Sequence, residues 1–138
     1  MPIETDRILL PATVLSEERL LGAIMVGTVV FGDAQLIRDV KAIVSPSDFC
    51  DYAYKGDRAR IYAAIINCEH PDIVTVTYEL IITNKLKPND TDYLRDLLMG
   101  ITGDTTSYNY MDYARIVKDL SLKRASITKP GGVSVKIK

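Results

Sequence analysis

Apolar residues recur in this chain at intervals of three and four, segment after segment, and most segments are bounded by proline, glycine or a residue suited to cap a helix. That spacing gathers a segment's apolar side chains on one helical face. Such stripes bury themselves against one another, which predicts an all-α fold. In the first stripe, Leu20, Leu21, Ile24 and Met25 follow Pro11 and Ser16. Ser16 is the predicted N-cap, and Glu17 and Glu18 suit the positive end of the helix dipole. Gly22 and Gly27 each weaken such a helix by about 1 kcal/mol relative to alanine. Their presence predicts a neighbour packed closely against them.

A second helix, capped by Asp33, carries Leu36, Ile37, Val40, Ile43 and Val44 inward and stops at Ser45-Pro46, since proline disfavours helical geometry in the residue before it. A third buries Ile61, Tyr62, Ile65 and Ile66. The segment Asp72 to Leu80 is ambiguous, because its β-branched residues and alternation favour a strand. Ile73, Val76, Thr77, Leu80 and Ile81 nevertheless share one helical face, and Asp72 is a competent N-cap. Asp90 then caps a helix with Tyr93, Leu94, Leu97 and Leu98 inward, ended by Gly100. After a loop from Ile101 to Ser107, a last helix from about Asn109 to Arg124 lines up Tyr110, Tyr113, Val117 and Leu120, with Ile116 beside them. Residues 127–138 are a loose tail or an added strand. The division is an arm at 1–10, a bundle of about six short helices at 11–125, and a basic tail, or the start of a truncated linker, at 126–138.

The 138 residues suffice for one domain, which at this length buries roughly two-thirds of the surface that its unfolded form exposes. A formal net charge of −1 is unevenly spread. From Lys118 onward six basic residues face only Asp119, a surplus of five, which leaves −6 on the rest. A basic tail on an acidic body can touch nucleic acid or an acidic partner, or can simply be solvated. The opening residues resemble no secretory signal and no long apolar run follows, so the expected address is the cytoplasm. Cys50 and Cys68 lack metal-ligand spacing and read as small core residues of a reducing compartment.

Catalytic patterns are missing. A P-loop needs backbone donors around phosphates followed by a Lys and a hydroxyl, and no G-x-x-x-x-G-K-[ST] occurs. Lys129-Pro130-Gly131-Gly132 has that composition in the wrong order. His70, the single histidine, would need distant ligands to hold zinc and reads as an exposed loop residue. Glu17 and Glu18 lie on different helix faces, and Asp48 and Asp51 in a turn; capping and solubility account for them better than acid–base chemistry. No catalytic, cofactor or metal residue is assigned.

Six short strings, in order, resemble the N-terminal domain of DnaB-type replicative helicases. Pro11, Glu17 and Leu21-Gly22-Ala23-Ile24-Met25 are similar to the family's opening helix, and Ser45-Pro46-Ser47-Asp48-Phe49 to its L-x-P-E-D-F turn. Ile61-Tyr62-Ala63-Ala64-Ile65 resembles I-F-x-A-I, and Asp72 to Val76 with Glu79-Leu80 resembles D-x-V-T-V-x-x-E-L. Tyr93-Leu94 with Leu97 resembles Y-L-x-x-L, and Asn109 with Tyr113 to Val117 resembles N-x-x-x-Y-A-R-I-V, with Arg124 closing the series. Arg58 stands where the family usually has histidine, and residues between Phe49 and Ile61 look extra.

The resemblance resolves Asp72–Leu80 as helix and implies a helical collar that pairs with copies of itself and offers a surface to primase and helicase loader. ATP and magnesium would belong to a motor domain that does not follow Arg124 here. The family pairs through a hairpin begun by the last helix, so Tyr110, Tyr113, Ile116, Val117, Leu120, Lys123 and Arg124 are the candidate interaction residues. For the tyrosine stripe, inward packing is the competing reading. Lys129, Lys136 and Lys138 are candidate nucleic-acid contacts, and with Lys123 and Arg124 they define the alternative of a small DNA-binding accessory protein. A stand-alone phage or mobile-element modulator of the helicase ring is a further alternative.

Overall fold

The computed structural model describes residues 2–30, 32, 35–50, 57–102 and 109–128. Among them are six α-helices and no strand: α1 (Pro2–Met25), α2 (Leu36–Lys41), α3 (Asp57–Ile66), α4 (Ile73–Ile82), α5 (Asp90–Thr102) and α6 (Tyr110–Thr128). The all-α expectation holds.

The first helix begins at Pro2, not at Ser16, so residues 2–10 continue it rather than forming a separate arm. Proline is well suited to a first helical turn, where its missing N–H has no partner to lose. Ser16 does not cap; its hydroxyl donates back to the Thr13 carbonyl at 3.2 Å. Leu20, Leu21, Ile24 and Met25 are fully buried, and α1 packs along α6 and α5. Each such side chain contributes about 1.5–3 kcal/mol on burial. The helix then widens into a π-type turn over Val26–Val30. Within it a Cβ on Gly27 would run into Cδ1 of buried Leu36, the close approach that glycine predicts.

Helix α2 is shorter than predicted, ending at Lys41, with Gln35 at its N-cap and no side-chain cap bond. Asp33, the expected cap, lies outside the described residues. Val44 is still buried, carried in the turn after the helix. A single 3-10 turn, Pro46–Asp48, follows Ser45, and Asp48 Oδ2 accepts the Ser45 N–H at 2.8 Å. Tyr62 of α3 reaches back to donate to the Val44 carbonyl at 2.7 Å, and its ring lies 4.8 Å from that of Phe49.

The β-branched segment is helical, and its ends show why. Asp72 Oδ1 accepts the Thr75 N–H at 2.8 Å while the Asp72 N–H donates to Thr75 Oγ1 at 2.9 Å, a reciprocal capping box. At the other end Asn84 takes φ 60°. The Lys85 N–H then reaches the Leu80 carbonyl at 2.8 Å and the Asn84 N–H the Ile81 carbonyl at 3.0 Å, the paired bonds of a Schellman motif. Two good caps offset the modest cost of β-branched residues. Val76 and Leu80 anchor α4 to the core, whereas Ile81, expected inward, is 52% exposed.

Asp90 opens α5, accepting the Lys87 N–H at 2.8 Å and two hydrogen bonds from the Arg60 guanidinium at 2.7 and 2.8 Å. Gly100 does not end that helix, which runs to Thr102. Likewise α6 continues past Arg124 to Thr128. Residues 129–138, the remainder of the expected tail, lie outside the described residues.

Candidate protein-interaction surface

What any partner meets depends on how α6 and α4 sit on the core. Helix α6 presents Ala114 and Val117 to the interior, with Tyr110 and Tyr113 half-buried against it. One turn further on, its contacts become polar. Lys118 and Ser121 reach Asp48 at 3.2 and 2.8 Å, and Arg124 donates to the Asp48 carbonyl at 2.7 Å. Burial opposes ionisation of Asp48, but the Ser45 N–H, the Ser121 hydroxyl and the Lys118 ammonium together hold its carboxyl below the ordinary value.

Behind this contact lies a buried ion pair. Glu17 accepts from Arg58 Nε at 2.5 Å and from the Cys50 N–H at 2.8 Å, with Arg124 Nη2 at 4.0 Å. Arg58 also donates to the Cys50 carbonyl at 3.3 Å. Burial pushes the Glu17 carboxyl up, against the opposing pull of Arg58. Reading Glu17 as a solvated acid in the first turn of a helix is therefore corrected: it sits mid-helix, in the core, and joins α1 to α3. Asp48 likewise does more than cap a turn, since it fixes α6. Neither role has a local signal, because the partners lie tens of residues away.

Among the sequence-predicted interaction residues, then, Val117 is core, Tyr110 and Tyr113 line it, and Leu120 is half-buried. The side chain of Arg124 is 12% exposed and committed to Asp48. Ile116 and Lys123 face outward. Lys129, Lys136 and Lys138 lie outside the described residues.

Sequence reasoning missed a second surface. Of nine exposed large apolar side chains among the described residues, five fall between Val74 and Leu86: Val74, Tyr78, Ile81, Ile82 and Leu86 itself. Val74, Tyr78 and Ile82 recur every fourth residue, a ridge along the outer side of α4. The available signal was that this segment carries more apolar side chains than a helix with one buried face needs. The ridge borders a groove of about 510 Å³ closed on its other side by the turn Cys68-Glu69-His70. Burial pushes the Cys68 thiol up, and Cys68 donates to the Ala64 carbonyl at 3.3 Å. No group of three or more His, Cys, Asp or Glu that could hold a metal occurs among the described residues. Nor is any helix among them long and apolar enough to cross a membrane.

A family model described as DnaB-like helicase N terminal domain matches residues 9–119. No curated protein and no solved structure matches the chain.

Proposed function

The chain belongs to the DnaB-like helicase N-terminal domain family, and from that membership we propose that it is a non-catalytic interaction domain of a replicative DNA helicase. In this role it associates with copies of itself in a cytoplasmic primosome and offers its outer helices to primase and helicase loader. ATP and magnesium act in a motor domain, not in this one. The observation that supports the reading best is the unequal exposure of apolar side chains: the outer side of α4 carries a continuous ridge while the core beneath it is closed. On α6, Ile116 is 43% exposed and lies on the helix whose family counterpart begins the pairing hairpin.

Of the cations behind the DNA-binding alternative, Arg124 is committed to the Asp48 carbonyl and Lys123 faces outward. Titration calorimetry with the primase and loader of the same replication system tests the proposal. Complexes that persist as salt is raised support docking through apolar faces. Binding to single-stranded DNA alone, falling steeply with salt, would point to phosphate contacts instead.

A further inference from the structure

The groove beside α4 combines two properties that together select a partner. Much of its lining is apolar, with Val74 75%, Tyr78 62% and Ile82 58% exposed. Its polar rim is acidic: Glu69 and Glu79 line it, Asp72 caps the same helix, and among the described residues neither Lys nor Arg lines it. The nearest cations in sequence, Lys85 and Lys87, follow the far end of α4. Among the described residues the groove therefore joins an apolar ridge to two carboxylates, Glu69 and Glu79, and has neither lysine nor arginine in its lining.

A ridge of side chains spaced every fourth residue on one helix fits best against the matching ridges of another helix. Acidic groups around an apolar strip favour a partner whose apolar stripe is flanked by Lys or Arg, and disfavour an anionic membrane or nucleic acid. We propose that the α4 groove is a docking site for a cationic amphipathic helix of a partner protein, whose large apolar side chains seat against Val74, Tyr78 and Ile82 and whose basic residues face Glu69 and Glu79. This rests on the reading of the chain as an interaction domain and specifies the partner's chemistry.

The experiment uses the whole chain and a synthetic amphipathic helix of leucine and lysine, with a leucine and glutamate counterpart as control. Binding is read by fluorescence anisotropy across a salt series. The lysine peptide binds and the glutamate peptide does not. Val74→Lys with Tyr78→Lys, at positions too exposed to matter for folding, weakens binding about tenfold or more. Glu69→Gln with Glu79→Gln weakens it less and flattens its salt dependence. Circular dichroism melts verify that both variants remain folded. Equal affinity for the two peptides, or lysine-peptide binding unchanged in the Val74/Tyr78 variant, overturns the proposal. So does loss of self-association in that variant by sedimentation, since a second copy would then be what covers the groove. If the peptide seats on the groove while the chain neither pairs nor binds primase or loader, the helicase-docking reading fails and this assignment stands.

Discussion

Arg58 Nε donates a hydrogen bond to Glu17 Oε1 at 2.5 Å, with both side chains 1% exposed, so an ion pair lies inside a core built mainly of aliphatic and aromatic side chains. Removing one partner leaves the other charge without compensation. Arg58→Met is expected to cost about 3–5 kcal/mol. The double variant Glu17→Gln, Arg58→Met should lose less, because the substituted amide carries no charge and its oxygen can still accept from the Cys50 N–H. Urea denaturation of the three proteins checks this; a double variant less stable than Arg58→Met would contradict the pairing.

Asp48 ties the 3-10 turn to α6 through Lys118 and Ser121. Its folded-state pKa lies below the ordinary 3.8. The stabilisation it gives is therefore full above that value and is lost as pH falls through the lower, folded-state one. Asp48→Asn should lower stability at neutral pH by about 1–2 kcal/mol. It should also lack the part of the acid destabilisation that the native chain shows below pH 3.8. Parallel pH-dependent melts of the two proteins read the difference; identical acid limbs would sink the assignment.

How the sequence foretells α4 separates what is legible from what is not. Asp72 and Thr75 are local partners, three residues apart, and the cap is visible in the string itself. Gly27 likewise announces a close approach, though not that Leu36 makes it. Glu17 and Arg58 are 41 residues apart, and no periodicity shows that their side chains meet. The start of α1 is misread because Ser16, with two acids after it, is a good cap signature inside a helix that has already begun. Ile81 is misplaced because α4 is apolar on both sides, so period alone cannot choose the inner face. The buried half of the site is illegible for one reason, long-range pairing, and the exposed half for another, ambiguity of face.

The C-terminal cap of α4 gives a local test. Asn84 holds φ 60°, a region in which β-branched residues are strained by about 1–2 kcal/mol. Asn84→Val should lose about that much stability, and Asn84→Gly should be neutral or slightly stabilising. Thermal melts rank the three; a valine variant as stable as the glycine one would refute the Schellman assignment.

At the other end, Asp72→Ala removes the acceptor for the Thr75 N–H and should cost about 1 kcal/mol. The loss should concentrate in α4. Hydrogen exchange is expected to rise first at residues 73–76, ahead of α1 and α6. Uniform acceleration across all helices would mean that the cap is not what holds this segment helical.

In the proposed role this domain works by contact with other proteins. Sedimentation velocity of the purified chain, alone over a range of concentrations and mixed with the primase of its own replication system, tests it most directly. Association that grows with concentration, or a faster species formed with primase, is the predicted result. A monomer at every concentration that leaves the primase boundary unchanged would contradict it.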